Sequence, residues 1–362
     1  MRIIFSSSIL LFTALAFADT VPRDPIKSEG KHFFLRDYPA LSNGILTFFA
    51  DLEKKYNSDI VEIDIPFSEY FTRKYYAVFS PTIAKAILHS KDGTFIKGNA
   101  ASAFKSTVFS PEGIIFMENS ARWYELNKEL RLGPFNPRFF SDVYAASFRS
   151  NINWLLNRLI NEGAEQAFEL YTEITNFTLR TMADGFFNYE LSDQELLTLV
   201  PAFKFILDNI QERELQIFAF PRFIPTTRNR EFNRSVRYFR SLLGRIVERD
   251  SGYLSFGKEK IPSLIGILKK HRDPKTKKAL TKEEIIGHVG SLFFAGHDTT
   301  ANFITMLIYQ IWSRSEDLEK VQAEVATRLQ GRAAGWFPMG TLPHLDKLQR
   351  EVLRLFPSVP VI

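Results

Sequence analysis

The chain has 362 residues, 45% hydrophobic and 24% charged, an ordinary balance for a globular protein and enough for one large domain or two small ones. A formal charge of +5 is modest for this length and permits an acidic partner without demanding nucleic acid. The lack of any cysteine excludes disulfides, zinc–thiolate sites and a thiolate ligand from these residues, and 35 phenylalanines point to a voluminous aromatic interior.

At the N-terminus, Met1-Arg2 precedes an apolar run to Phe17 that is broken by Ser6-Ser7-Ser8 and closed by Ala16-Phe17-Ala18. This is the pattern of a cleavable signal peptide over residues 1–18, which implies export or the secretory pathway. The run falls short of the ~18 apolar residues of a good membrane span, so a weak membrane anchor, with association with a membrane, stands as the alternative. Residues 19–31, with Pro22 and Pro25, read as a linker to a domain over 32–362.

Residues 45–56 have helical character, 60–65 and 75–79 alternate like half-buried strands, and a helix follows Pro81 with Ala84, Ile87 and Leu88 inward. Gly113 to Met117 leads into a polar helical stretch that holds Trp123. Residues 154–180 and 191–209 are amphipathic helical segments, and a stretch with Pro221 and Pro225 interrupts the pattern. Helix resumes over 229–248, with Val236, Phe239, Leu242, Leu243 and Ile246 on one face. Eight arginines lie between Arg222 and Arg249, interspersed with acids, and read as a solvated helix face with no nucleic-acid role.

Thr281-Lys282-Glu283-Glu284 then forms a capping box before an apolar run that meets no proline until after Trp312. At about 1.5 Å per residue such a helix spans roughly 45 to 50 Å, and being apolar almost all round it belongs in an interior. Its middle holds Gly296, His297, Asp298, Thr299 and Thr300, all poor helix formers. By themselves these are accounted for by hydroxyls bonding back to the i−4 carbonyl. Ser313-Arg314-Ser315-Glu316 is a second capping box, before a helix with Leu318, Val321, Val325 and Leu329 on its buried face and Gly331 at its end. In the last helix Leu345, Leu348, Val352 and Leu355 make an apolar stripe, while Glu351 and Arg354, three apart, share a face.

The run Ala295-Gly296-His297-Asp298-Thr299-Thr300 resembles the oxygen-activating helix of the cytochromes P-450, whose motif is Ala/Gly-Gly-x-Asp/Glu-Thr-Thr/Ser. Glu351-x-x-Arg354, set between Leu-Pro-x-Leu and Leu-Phe-Pro-Ser-Val-Pro, resembles the same family's buried Glu-Arg pair. The resemblance implies a mainly α fold with a small β portion, haem b, a hydrophobic small-molecule substrate, a redox partner (reductase or ferredoxin), and insertion of one oxygen atom into the substrate. It implies that Thr299 hydrogen-bonds the oxygen being activated, that Asp298 feeds protons, and that Ala295, Gly296 and Thr300 lie close to the haem. It further implies that the central helix is distorted near Gly296 and turns Asp298 and Thr299 toward an internal cavity.

Two departures qualify this picture. The family's W-x-x-x-R, which bonds a haem propionate, is met by Trp123 but has Asn127 in place of the Arg, leaving Arg131 one turn further to compensate. The family's Cys-bearing haem loop is not among these residues, so the resemblance implies a P-450 fold incomplete at the C-terminus and inactive as it stands, with an incomplete gene model as the explanation. It also implies a buried Glu351–Arg354 pair short of its third partner, at a cost of about 3 to 5 kcal/mol. A non-catalytic protein binding a lipid-like ligand, or a defective fragment, are the rival readings.

Overall fold

The computed structural model describes residues 26–28, 44–63, 75–90, 94–95, 108, 113–137, 143–163, 168–214, 222–256, 259–331 and 340–359. The expected signal peptide or anchor and most of the expected linker lie outside them. Strand β1 (Ile26–Lys27) runs parallel to β2 (Ile60–Ile63), which pairs antiparallel with β3 (Tyr75–Val78), Ile60 opposite Val78 and Ile63 opposite Tyr75. Helix α1 (Ile45–Tyr56) lays Phe48 and Leu52 on this sheet against Val61, Ile63 and Ala77. Helix α2 (Pro81–His89) starts with proline in its first turn, where a missing N–H costs nothing. It buries no residue, and Leu88, expected inward, is 57% exposed.

Helices α3 (Ala121–Leu132), α4 (Ala145–Gly163), α5 (Leu170–Phe187), α6 (Asp193–Glu214), α7 (Thr227–Arg249) and α8 (Leu264–Lys270) surround the long α9 (Lys282–Trp312). A hairpin of β4 (Tyr253–Phe256) and β5 (Glu259–Pro262) joins α7 to α8. Residues 154–180 are two helices instead of one. The second is restarted by Glu169, whose carboxylate accepts from the backbone N–H groups of Tyr171 and Thr172. Helix α9 packs most extensively on α5, with α7 on another side. Phe187 stacks on Phe293 at 5.9 Å, and Phe239 meets Phe203 and Phe293 edge-on at 5.0 and 6.1 Å, so the phenylalanines do fill the interior between these helices.

Helix α10 (Ser315–Leu329) has no capping box, because Ser313 is still helical as the C-cap of α9 and donates its hydroxyl to Gln310 O. Arg314 stands at the N-cap with no side-chain bond to the backbone. Leu318, Val321, Val325 and Leu329 are half-buried only, and the helix ends on Gln330 and Gly331, both with positive φ. In α11 (Pro343–Leu355), Leu348 and Val352 are buried, Leu345 is half-buried and Leu355 is 44% exposed.

Glu351 and Arg354 do pair, Nε to Oε2 at 2.9 Å and Nη2 to Oε1 at 2.6 Å, but on the surface, with side chains 48% and 66% exposed. The expected burial of this pair, and the penalty attached to it, are not found. Three residues apart on a short amphipathic helix, they share a flank turned about 110° from the buried side of Leu348 and Val352, where both side chains reach solvent.

Candidate active site on the central helix

Helix α9 begins at Thr281, whose Oγ1 accepts from Glu284 N at 3.2 Å while the Glu284 carboxylate accepts from Thr281 N at 2.6 Å. Arg122 of α3 donates to the same carboxylate at 2.5 Å. Burial would raise the Glu284 pKa, but the hydrogen bonds from Arg122 and Thr281 hold it below the ordinary glutamate range, so the carboxylate stays charged. From this anchored start the helix runs unbroken and α-helical from Lys282 through Gly296 to Trp312, as expected.

Gly296 lies under α5. A Cβ there would come within 2.4 Å of Met182 Sδ and 2.6 Å of its Cε. The missing side chain leaves room for the thioether end of Met182, so in this chain Gly296 is a packing residue of the α5 contact.

Leu292, Ala295, Gly296, Thr299 and Phe303 are half-buried and Thr300 is exposed, whereas Phe293, Phe294, His297, Asp298 and Ala301 are buried. Spacings of three and four put the first set on one strip of the helix. Thus from Ile285 to Ala301 an otherwise enclosed stretch of helix keeps one partly exposed strip, with Ala295 and Thr299 on it and Gly296 at its edge beside Met182. The Thr299 hydroxyl donates to Ala295 O at 2.7 Å, and Ser358, beyond α11, donates its hydroxyl to Thr299 O at 2.8 Å.

Asp298 does not share that orientation. One residue from Thr299 it is turned by about 100° around the axis. It is 4% exposed, and its Oδ1 accepts from the Tyr171 hydroxyl of α5 at 2.8 Å. Burial first, then the Asp298 charge, raises Tyr171 well above the ordinary phenol range, so it remains a donor. The expectation that Asp298 and Thr299 face one cavity is corrected to two adjacent environments, a buried acid against α5 and a hydroxyl on the open strip.

His297 is turned into α6, edge-on to Phe203 at 4.4 Å, with Nδ1 3.1 Å from Phe293 O. Burial lowers its basicity despite the neighbouring Asp298 charge. Trp123 caps no open site. Its backbone N–H bonds to Ser120 Oγ, and its indole N–H donates to Ile114 O at 3.1 Å. Arg131 lies on the exposed side of α3. Tyr171 and Ser358 were not singled out by sequence. Tyr171 lies 127 residues from Asp298, and no local pattern marks either contact.

The family model for cytochrome P450 matches residues 28–362. The chain belongs to the cytochrome P450 family. It is 26% identical over 235 residues to a bifunctional cytochrome P450/NADPH–P450 reductase of Aspergillus oryzae, covering 64% of this chain and 20% of that protein. It is 22% identical over 272 residues to the self-sufficient cytochrome P450 monooxygenase CYP505E4 of Penicillium freii, covering 74% of this chain and 25% of that protein. The chain therefore spans about a fifth to a quarter of the length of these relatives. The crystal structure of a cytochrome P450, CYP102L1, superposes with a TM-score of 0.67 at 18% identity, over 86% of this chain and 70% of that one, which supports the mainly α fold with a small β portion.

Haem is the cofactor that membership of this P450 family implies. The open strip of α9 fits one face of a flat apolar group, since Ala295 is small and Leu292 and Phe303 flank it. The axial thiolate has no donor among the 362 residues. Neither Trp123, whose indole N–H is taken by Ile114, nor the solvent-facing Arg131 stands in place as a propionate donor.

Proposed function

We propose that the chain supplies the oxygen-activating face of a P450-type monooxygenase that inserts one oxygen atom into a hydrophobic small molecule. The observation that carries this reading is the open strip of α9, with Ala295 and Thr299 on it and Asp298 buried at its edge. Bound haem supplies dioxygen activation, with two electrons from a reductase or ferredoxin. Relatives described as P450 fused to a reductase support that class of redox partner.

Within the chain, Ala295 leaves room for a flat ring against the helix, and Leu292 and Phe303 exclude water beside it. The Thr299 hydroxyl, now satisfied by Ala295 O, can turn its proton outward at the loss of one modest hydrogen bond of about 1 kcal/mol. Asp298 is the acid nearest to it in the helix and is the proposed proton source. Thr300 borders the same strip in solvent, and Trp123 and Arg131 keep a proposed role on the propionate side only if α3 rearranges when haem binds. Nucleic acid is no proposed partner, since Arg228, Arg234, Arg240 and Arg245 are each paired with a glutamate.

Haem reconstitution tests the reading. Purified chain should bind haem, and Ala295→Trp, which fills the strip, should weaken binding at least about tenfold, the step set by about 1.4 kcal/mol. Equal affinity in the two proteins would remove the strip as the haem face. Reduced with carbon monoxide, the chain should lack the red-shifted Soret band of thiolate ligation, because it has no cysteine. For the chain by itself, that same lack favours a second reading, an apolar-ligand-binding protein without redox chemistry, which a cooperative melt unaffected by haem would support.

A further inference from the structure

The acid of the central helix is held by a phenol that reaches it from another helix. Tyr171 OH donates to Asp298 Oδ1 at 2.8 Å, and the carboxylate is 4% exposed. The root of the phenol is fixed on two sides. Glu169 at the N-cap of α5 accepts from Tyr171 N at 3.2 Å, and Tyr171 O accepts from Thr175 Oγ1 at 2.7 Å. Its ring packs in the apolar cluster of Leu155, Ile174 and Ala301. Neither end of the hydrogen bond is therefore on a mobile surface chain.

We infer that Tyr171 is the positioning residue of Asp298, holding the carboxylate on the α5 side of the helix and setting how often it turns to the open strip. This rests on the reading of that strip as the oxygen-activating face. A buried carboxylate needs hydrogen-bond donors, and one from a phenol in a low-dielectric setting is among the stronger kinds. To face Thr299 and the strip, Asp298 must rotate about its side-chain torsion and give up this bond. The groups that act electrostatically on the pair are Glu169 beside Tyr171 and the neutral, fully enclosed His297 beside Asp298. Neither replaces the donor. The strip-facing rotamer is thus disfavoured by about tenfold or more, the ratio carried by a hydrogen bond to a charged group. Asp298 and Tyr171 together are a latched acid, and the latch belongs to α5.

The test is carbodiimide labelling of carboxylates in the full-length chain, read residue by residue by mass spectrometry. Tyr171→Phe keeps the ring and removes the donor. Labelling of Asp298 should rise about tenfold, matching the lost bond. Asp184, which accepts from Ser147 and Asn151, and Asp250, which accepts from Gly252 N and Ser263, should be unchanged. Asp298 labelling that stays flat, or that rises together with Asp184 and Asp250 as in general loosening, overturns the inference. If Y171F does not fold, D298N gives the converse readout, in which the tyrosine Raman doublet assigned to Tyr171 loses its strong-donor signature. An unchanged doublet there also overturns it. Haem added to Y171F separates this from the functional reading. Suppression of the new Asp298 labelling supports both. Labelling that rises but ignores haem upholds Tyr171 as the positioning residue and removes the oxygen-activating assignment of the strip.

Discussion

Gly296 and His288 show how single side chains on α9 are set by their neighbours. Alanine in place of a helical glycine gains about 1 kcal/mol of helix propensity. At Gly296 the added Cβ would meet Met182 Sδ at 2.4 Å, the far end of a flexible, partly buried side chain, so the overpacking cost falls at the low end of its range, about 1 kcal/mol. Gly296→Ala should therefore leave the stability of the haem-free chain nearly unchanged, and in a Met182→Ala background it should become stabilising. Urea midpoints decide this. A stabilising Gly296→Ala in the wild-type background would mean that the glycine is kept for something other than α5.

His288 is fully buried, with no hydrogen-bond partner for either ring nitrogen among the described residues. Burial, reinforced by Arg122 and His271 and opposed by Glu284, lowers it from 6.5 to about 4. The unfolded chain thus takes up this proton before the folded one. Stability is full above about pH 6.5 and falls as pH drops toward 4, by on the order of 3 kcal/mol. His288→Phe should flatten that part of the stability–pH curve, and an equal slope in the variant would refute the assignment.

At the scale of elements, caps and faces decide what each helix contributes. Helix α9 keeps both reciprocal bonds of its capping box because Thr281 precedes the helix in extended backbone. The same pattern at Ser313 is inert, because that residue still belongs to the preceding helix. Helix α11 carries Glu351 and Arg354 on its wet side, where Arg354 lowers Glu351 and is itself raised. An exposed pair three apart contributes little once water and side-chain entropy are counted. Glu351→Gln should leave the thermal midpoint of this chain unchanged, measured by circular dichroism. A large drop would restore the expectation of a buried network.

For the whole molecule, what is left uncovered matters as much as what is packed. On α4, Ile152, Leu156 and Ile160 are 40%, 47% and 66% exposed, and their spacing of four puts them on one face. Trp312 at the end of α9 is 68% exposed. Contiguous apolar surface of this kind drives association. Replacing Leu156 and Ile160 by Lys should raise the soluble, monomeric fraction in gel filtration, and an unchanged profile would point to another cause of association. Among the described residues, which begin at Ile26, no helix is long and apolar enough to cross a membrane. Export through a cleaved signal is proposed from residues 1–18 alone. Protein recovered from its native source should begin at Asp19, and intact Met1-Arg2 in a membrane fraction would favour the anchor.

By itself the sequence determined the family, the central helix and most of the other helices. Those features rest on local information: the Thr281–Glu284 box, the apolar period from Lys282 to Trp312, and the contiguous Ala295–Thr300 motif. It also marked Thr299 and Ala295 as lying near one another, since helical spacing follows from number alone. Only the tertiary structure decided which way each residue of the motif faces. Asp298 is turned to Tyr171, Gly296 to Met182 and His297 to Phe203, because α5 and α6 occupy those sides of α9. It likewise decided that Glu351 and Arg354 are wet and that Ser313 closes a helix where its pattern suggested the start of one. The physical reason is common to all of these. A helix period fixes relative directions around an axis, but burial, a hydrogen-bond partner 127 residues away and the approach of a neighbouring helix exist only once the chain has packed.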